Sequence, residues 1–258
     1  MFKKLAEVYT YREVLYNFVS QELKVKYKRS FLGFLWSLLN PILTMIVTSI
    51  VFAAIMKFEL NNFVVFIYSG LLPWGFIAIS MDGSTNSLIN AEGYIKKVYL
   101  PKLIFPISGV ASNFVNMLLS MVSLFIVLLF IGAKVTIALT FLPISFILLF
   151  FAVSGISMLL ATFAVFFRDI RHIIGVITSA LFYLTPILYP LDFIPKHISR
   201  FIELNPFYYF VQLFRDPIYF GKFPSMYNVG ITVGLTTILF LLGLYVFTKY
   251  EKDFVFRL

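Results

Sequence analysis

The chain has 258 residues, of which 60% are hydrophobic and only 13% are charged, and its mean hydropathy is +0.94. Soluble domains carry about 25% charged residues, so this composition excludes an ordinary soluble globular fold. The formal net charge of +9 is interpreted, in so apolar a chain, as membrane topology and contact with anionic lipids and not as nucleic-acid binding.

The segment 1–29 is polar or amphipathic and predicts a helix along the inner membrane surface, followed by a basic anchor. Such a helix either lies among the lipid headgroups or docks on a partner protein. A polar stretch of this length before the first apolar run argues against a signal peptide. The apolar residues that recur at helical spacing are Leu5, Val8, Tyr11, Leu15, Phe18 and Val19, and the basic cluster contains Lys24, Lys26, Lys28 and Arg29.

Six runs without Lys, Arg, Asp or Glu follow, and each can supply one helix across a bilayer core of about 30 Å. Pro143 places the start of the fourth helix near that residue. The predicted fold class is therefore an all-α membrane protein with six transmembrane helices in one domain, 1–258. The predicted spans are 30–56, 60–81, 103–133, 138–167, 173–191 and 223–248.

The distribution of basic residues predicts the orientation of the chain. If both termini are cytoplasmic, the inner segments carry 15 of the 21 Lys and Arg residues and the outer segments carry 6. Cytoplasmic loops of membrane proteins are enriched in Lys and Arg. We therefore expect both termini in the cytoplasm.

The predicted spans contain no ionisable residue, which argues against ion-coupled carriers and proton pumps. The absence of cysteine excludes disulfides, thiolate metal sites and cysteine nucleophiles. The chain has no Walker A loop, so it is not expected to hydrolyse ATP by itself. Asp82-Gly83-Ser84 hints at a metal–carboxylate motif, but no second acidic cluster follows at helical spacing. We predict no catalytic residue and no metal site.

Five segments resemble, in order and spacing, the permease subunits of ABC transporters that export polysaccharides such as O-antigen, capsule and teichoic acid. They are "KYKRSFLGFLWSLLNP" (26–41), "SGLLPW" (69–74), "IKKVYLPKLIFPISGVASN" (95–113), "FFRDIRHIIG" (166–175) and "LTPILYPLDFIP…LNPFYYFVQLFRDPIYFG" (184–221). The resemblance implies a homodimer in the bacterial cytoplasmic (inner) membrane with two copies of a separate ATPase, which uses ATP and Mg. It also implies a lipid-linked polysaccharide as substrate. A permease for drugs or small lipids, and a membrane-embedded glycan-modifying enzyme, remain alternatives.

In that family the connection between the second and third spans carries a helix that couples the permease to the ATPase. Here this connection is 82–102, and we place the helix at 90–98, with Asn90 as its predicted N-cap. Opposite charges at its two ends suit a short helix that projects into the cytoplasm. The alternative is a solvated loop. The predicted coupling residues are Asn90, Glu92, Tyr94, Ile95, Lys96 and Lys97.

Asn40-Pro41 predicts a bend in the first span, facing either a translocation path or a neighbouring helix. Aromatic rings can stack weakly and repeatedly on sugar faces, although interfacial anchoring explains Tyr and Trp equally well. The predicted path residues are Trp36, Asn40, Tyr183, Tyr189, Tyr208 and Tyr209.

Three further predictions concern the membrane surfaces. Segment 192–222, broken at Asn205-Pro206, is expected to form an external re-entrant segment or an aromatic helix at the outer leaflet. An inner gate or interface is expected at Arg168, Asp169 and Arg171. A pyrophosphate headgroup is expected to bind Lys26, Lys28 and Arg29, which topology alone also explains.

Overall fold

The computed structural model describes residues 2–27, 32–56, 60–132, 135–191 and 194–258, and the regular structure of these residues is helical. Short 3₁₀ turns, Gly33–Leu35 and Ile137–Phe141, precede the third and seventh α-helices. The α-helices are α1 (Phe2–Thr10), α2 (Arg12–Tyr27), α3 (Trp36–Met56), α4 (Leu60–Asn90), α5 (Glu92–Lys97), α6 (Ile104–Phe130), α7 (Leu142–Phe166), α8 (Ile170–Leu184), α9 (Lys196–Glu203), α10 (Pro206–Ile218), α11 (Met226–Tyr250) and α12 (Phe254–Arg257).

Within these ranges, four helices are long and apolar enough to cross a membrane: α4, α6, α7 and α11. The apolar stretches Trp36–Val51 of α3 and Ile170–Leu184 of α8 are shorter. The all-helical membrane fold is therefore confirmed, whereas the six-span topology stays a prediction. Pro143 lies in the first turn of α7, where its missing N–H costs no helical hydrogen bond, as the sequence predicts.

Helices α7 and α11 run parallel to each other in close contact. The Thr236 hydroxyl donates to the carbonyl oxygen of Leu148 at 3.2 Å, and the Phe166 and Tyr250 rings meet farther along both helices. Between these points, a β-carbon on Gly155 or Gly243 would overlap the backbone of the other helix. Two glycines thus allow the two backbones to touch, as small residues do in membrane helix pairs.

The parallel pairing has a topological consequence for residues 167–225. Because α7 ends beside the end of α11, the chain between them must return to the end of the molecule where α11 begins. Helix α8 makes only part of this return, since its 15 residues extend about 22 Å. It ends beside the middle of α4, where the Trp74 and Phe182 rings are 6.3 Å apart.

Helix α10 completes the return. Its first residues lie level with the end of α8, because the Phe207 ring also contacts Trp74, at 5.7 Å. Its last residues lie near the start of α4, where Tyr219 contacts Phe66 at 5.2 Å. The helix break that the sequence predicts at Asn205-Pro206 is present between α9 and α10. Its asparagine accepts the backbone N–H of Phe207 and donates to the Thr185 hydroxyl at 2.8 Å.

The N-terminal helices pack on the rest of the chain. Val8 belongs to a buried cluster with residues of α6, α7 and α11, and Leu15 and Phe18 pack against the same cluster. The apolar face that the sequence analysis assigned to lipid or to a partner protein is thus largely covered by the chain itself. The amphipathic pattern is present but is interrupted at Tyr11, between α1 and α2.

Polar contacts join both termini to the connection that follows α5. The Lys4 ammonium lies 3.0 Å from the Glu251 carboxylate and 3.1 Å from that of Glu7. The Tyr99 hydroxyl donates to Glu7 at 2.8 Å, and Lys102 donates to the backbone oxygen of Glu251 at 2.6 Å. We call this end of the molecule, which contains α1, α5 and α12, the terminal end. The opposite end contains residues 135–141 and 219–226.

These contacts shift the pKa values of their groups. The hydrogen bond from Tyr99 lowers the pKa of Glu7. Burial acts to lower the pKa of Lys4, but its hydrogen bonds to Glu251 and Glu7 outweigh burial and raise it. Burial lowers the pKa of Lys102. The cluster therefore keeps Glu7 ionised and Lys4 charged over a wider pH range than usual.

Candidate functional site

Helix α5 forms within the connection where the sequence analysis places a coupling helix. Lys96 and Glu92, one turn apart, form an ion pair at 2.6 Å on its exposed surface. Tyr94 is half exposed, and its ring meets Phe18 of α2 edge-on at 5.5 Å. Ile95 packs against the cluster that also holds the N-terminal helices. Ile95 thus packs α5 against the rest of the chain, and the charged side chains of Glu92 and Lys96 are exposed.

One predicted feature of this segment is wrong. Asn90 does not cap α5, because it is the last residue of α4, and the N-cap position is Ala91, which makes no side-chain cap hydrogen bond. Helix α4 continues nine residues past the predicted end of its span at Met81. Asn90 instead lines a cavity between α2, α4, α5 and α6 with a volume of about 400 Å³. It thus lies next to α5 but outside it.

Two adjoining cavities form a polar track along α4 and α6. The first is the cavity beside Asn90, at the terminal end; the second, of about 300 Å³, lies between α3, α4 and α6. Ile79 and Asn113 line both. The predicted path residues Trp36 and Asn40 line the second cavity. Most of the other polar residues along the track are uncharged: Ser37, Thr44, Ser80, Ser84, Ser87, Asn116 and Ser120.

Several hydroxyls of the track, those of Ser84, Ser87 and Ser120, donate to backbone oxygens of their own helix. Asn113 donates to the Ser80 hydroxyl at 3.3 Å, which joins α6 to α4. Three residues of the track were not predicted from the sequence: Asn113, Asn116 and Ser120. Their spacing, three and then four residues, places them on one face of an otherwise apolar helix, and this signal could have identified them.

A third cavity, of about 540 Å³, lies at the opposite end of the molecule, between α4, α10 and the start of α11. The predicted path residues Tyr208 and Tyr209 line it, and their rings are 5.2 Å apart. We call it the outer cavity. Its other polar lining residues are Glu203, Gln212, Arg215, Asp216, Lys222, Ser225, Tyr227 and Asn228.

Arg215, on the wall of the outer cavity, is a buried charge that the sequence analysis did not single out. Its guanidinium donates to the carbonyl oxygens of Pro186 and Ile187 at 2.6 and 3.1 Å and lies 4.1 Å from the centre of the Phe66 ring. Only 2% of the residue is exposed. Gly70 makes room for it, since a β-carbon there would lie 2.7 Å from Nη2.

The six predicted path residues do not form one surface. Trp36 and Asn40 lie in the polar track, and Tyr208 and Tyr209 lie in the outer cavity. Tyr183 and Tyr189 line neither, and the Tyr189 hydroxyl donates to the backbone oxygen of Tyr183 at 2.6 Å. Tyr183 is exposed on the surface of α8.

The sequence "FRDIR" occupies the turn between α7 and α8 at the terminal end. Asp169 precedes the first residue of α8, and Arg171 donates to the backbone oxygen of Arg168 at 3.3 Å. Among the described residues, no ion pair joins Asp169 to either arginine. Asp169 and Arg168 are exposed, which leaves these charges available to a partner.

The predicted pyrophosphate site falls partly outside the described residues. Lys28 and Arg29 of the predicted pyrophosphate site belong to the undescribed ranges, and Lys26 lies in the last turn of α2. Within the described ranges, no group of three or more His, Asp or Glu residues is arranged to hold a metal ion.

Comparison with known proteins gives consistent matches over most of the chain. The family described as "ABC-2 type transporter" matches residues 13–219. The O-antigen export system permease protein RfbA of Myxococcus xanthus is 29% identical over 256 residues, which cover 98% of each chain. RfbA of Klebsiella pneumoniae is 30% identical over 243 residues, 94% of this chain and 93% of the relative. The polysialic acid transport protein KpsM of Escherichia coli is 22% identical over 240 residues, 90% of this chain and 91% of the relative. With its helical membrane fold and a family match over residues 13–219, the chain belongs to the ABC-2 type transporter family.

Proposed function

We propose that this protein is the transmembrane subunit of an ATP-driven exporter that moves a lipid-linked polysaccharide, such as O-antigen, teichoic acid or a similar cell-surface glycan, across the bacterial cytoplasmic membrane. The observation that carries the proposal is the polar track along α4 and α6, in a chain whose relatives are named for O-antigen export and polysialic acid transport. Its amides and hydroxyls can exchange hydrogen bonds with sugar hydroxyls along the whole track.

The chemistry of the track suits passage better than tight binding. The cavity between α3, α4 and α6 is lined by apolar, hydroxyl and amide side chains without a charged residue. Neutral hydrogen bonds contribute about 1 kcal/mol each, so a polymer held by several of them can step from one set to the next. Conduction through channels follows the same rule of several weak sites.

Energy for export is supplied in this proposal by a separate ATPase, as permeases of this family normally work with one. Two copies of this chain would form a homodimer and bind two ATPase subunits, which hold the ATP and Mg. The terminal end would face the cytoplasm, with α5 and the exposed Arg168–Asp169 turn available for docking. The excess of basic residues in the inner segments supports this orientation.

Export can be tested with the permease and its ATPase co-purified and reconstituted in lipid. We expect lipid-linked glycan to stimulate ATP turnover and to be translocated. Replacing two amides of the polar track, Asn40→Leu and Asn113→Leu, should reduce translocation several-fold, because each removes hydrogen-bonding groups from the path. The exposed amide of α2 offers a matched control, Asn17→Leu. Stimulation by drugs or small lipids but not by glycan would instead identify a small-substrate permease.

The coupling role of α5 can be separated from its folding. Glu92→Lys combined with Lys96→Glu preserves the ion pair within the helix but exchanges the two charges on its exposed face. We expect this double variant to lose at most about 1 kcal/mol of stability, because the exchanged charges no longer complement the helix dipole, and to lose most glycan-stimulated ATP turnover. Full turnover and export by the double variant would remove α5 from the docking surface.

A further inference from the structure

The residues that line the outer cavity carry most of the buried polar side-chain atoms that lack a partner in the described part of the chain. Of seven such atoms, four belong to residues that line this cavity: Oε1 of Gln212, Nε of Arg215, and both amide atoms of Asn228. Arg215 is 2% exposed and Asn228 is 6% exposed. Buried polar atoms in folded proteins are almost always hydrogen-bonded. Four of them around one cavity indicate a missing ligand.

The fold does not account for these side chains. Asn228 lies in the first turn of α11, but the cap of that helix is Ser225, whose hydroxyl accepts the Asn228 backbone N–H at 3.2 Å. Gln212 uses its amide nitrogen to donate to the Tyr208 hydroxyl at 3.1 Å, and its oxygen is left without a donor. The two amide groups thus have hydrogen-bonding capacity that helix formation and capping do not use.

The number and type of these atoms match vicinal hydroxyl groups. Two of the atoms, Nε of Arg215 and Nδ2 of Asn228, donate; the other two, Oε1 of Gln212 and Oδ1 of Asn228, accept. A hydroxyl both donates and accepts, so a few neighbouring hydroxyls satisfy all four. A phosphate satisfies only the donors and leaves both acceptors facing an anion. A metal cation in the same place would be repelled by the positively charged Arg215 guanidinium.

The remaining wall is aromatic and its charges balance. Tyr208 and Tyr209 pack edge-on, and Tyr227 lies 6.5 Å from Tyr209. Tyrosine rings offer flat apolar faces of the kind that sugar rings contact. The charged lining residues are two basic ones, Arg215 and Lys222, and two acidic ones, Glu203 and Asp216. The cavity, about 540 Å³ in volume, lies within the range of roughly 300–1,000 Å³ that small-molecule sites occupy.

We propose that the outer cavity is a saccharide-binding site that holds one or two neutral sugar units of the exported glycan, with Gln212, Arg215 and Asn228 bonding their hydroxyls and the tyrosines contacting their rings. The inference rests on the proposed function, since the sugar is part of the exported glycan. The cavity lies at the end of the molecule opposite α5, so it holds glycan that has already passed along the polar track.

Binding can be measured by calorimetry on the permease–ATPase complex in lipid nanodiscs. The probes are neutral di- and trisaccharides released by mild acid from the host's exported glycan, with sialyllactose as an acidic probe. The single variant Asn228→Leu removes two unpartnered atoms and no bond of the fold, so its thermal stability should not fall. The double variant Gln212→Leu/Asn228→Leu removes three of the four unpartnered atoms and also the Gln212–Tyr208 hydrogen bond. We expect its affinity for the neutral probes to fall at least tenfold, and that of the control Asn17→Leu to stay unchanged.

Four results would overturn the proposal. If the double variant binds the neutral probes as tightly as the wild type does, water and not sugar fills the cavity. If the wild type binds sialyllactose as tightly as the neutral probes or more tightly, the site has no preference for neutral sugars. A wild-type complex that exports the glycan but does not bind the probes rejects the site and leaves the proposed function intact. A complex that does not export the glycan rejects the proposed function, and the saccharide site falls with it.

Discussion

Arg215 illustrates how much one residue contributes to the architecture of the opposite end. Its guanidinium joins α10 to the two carbonyl oxygens that follow α8, and its flat face covers the Phe66 ring of α4. The absence of a side chain at Gly70 provides the space for it. A guanidinium is suited to this position because it donates in two directions within one plane, which an ammonium group cannot do.

We predict that Arg215→Lys lowers the free energy of unfolding by about 2 kcal/mol, the range expected for losing hydrogen bonds from a buried charge. A lysine reaches one of the two carbonyl oxygens at best and leaves the other without a donor. Thermal unfolding in detergent, followed by the loss of monodisperse protein, measures the effect. The exposed Arg200 offers the control Arg200→Lys, which should unfold like the wild type. Equal unfolding temperatures for both variants would show that the Arg215 contacts do not stabilise the fold.

Residue-level patterns predicted part of the candidate site. Asn40-Pro41 attracted attention because a proline and an amide are unusual together in an apolar helix, and the structure places Asn40 and Trp36 in one cavity. Asn113 was not predicted, although its spacing to Asn116 and Ser120 places a polar face on an otherwise apolar helix. Asn90 was assigned to the start of α5, but it is the last residue of α4. The predicted end of α4 was too early, and a residue can be identified as an N-cap only if the end of the preceding helix is known.

At the scale of elements, the contact between α7 and α11 depends on two glycines. The backbones touch at Gly155 and Gly243, and a methyl group on either glycine has no space. Both helices are apolar along their length, so hydrophobicity alone does not determine which face of each meets the other. Close backbone packing replaces the hydrophobic effect as the source of specificity between helices in lipid.

We predict that Gly155→Ala destabilises the protein by about 1–3 kcal/mol, as overpacking of a close contact does, because the added methyl group pushes α11 away. Gly234→Ala is a matched control on α11, since a β-carbon there meets no atom within 4 Å. Thermal unfolding in detergent of both variants measures the difference. A Gly155→Ala protein as stable as Gly234→Ala would mean that the two helices are farther apart than the structure shows.

The attachment of α1 is predicted to weaken in acid. The pKa of Glu7 is lowered below its ordinary value of 4.5, so its contribution to stability is present above pH 4.5 and is lost as the pH falls through the folded-state pKa. Glu7 is near the surface, so the effect should be a few-fold change in local opening. Thiol labelling of a buried Val8→Cys, normalised to an exposed Tyr9→Cys, measures that opening.

In this assay, the normalised labelling of Val8→Cys should rise between pH 5 and pH 3. Adding Glu7→Gln should remove most of the pH dependence, because an amide at this position does not titrate. A pH dependence that persists in the Glu7→Gln protein would assign the opening to another group.

Element boundaries were harder to predict than the elements. The second span was predicted to end before the first charge, Asp82. An exposed carboxylate does not end a helix, however, and α4 continues to Asn90. The fifth charge-free run, 173–191, suggested a full span, but α8 ends at Leu184 because Pro186 follows two residues later. Charge indicates where a helix can leave the lipid, whereas helix ends depend on capping and proline.

At the scale of the whole molecule, composition predicted an all-helical membrane fold, and the resemblance in five segments predicted the transporter family to which the chain belongs. Composition could not predict that α7 and α11 run parallel, because that relation depends on contacts far apart in sequence. The parallel pair requires residues 167–225 to lead from the terminal end back to the opposite end. Because α8 covers only part of this distance, it does not form the fifth predicted span alone. The rest of that crossing has to be made by the segment between α8 and the end of α10.

The same geometry predicts which residues face each side of the membrane. The chain contains no cysteine, so single cysteines at exposed positions can be labelled with an impermeant maleimide on intact spheroplasts. We expect Val135→Cys and Met226→Cys, at the opposite end, to react from outside, and Phe167→Cys and Phe256→Cys, at the terminal end, to react only after permeabilisation. Permeabilised cells report whether each cysteine is accessible at all and serve as the reference for each variant. Outside labelling of Phe256→Cys would reverse the orientation. If Phe167→Cys and Met226→Cys reacted from the same side, α8 to α10 would not cross the membrane, and the topology would have fewer than six spans.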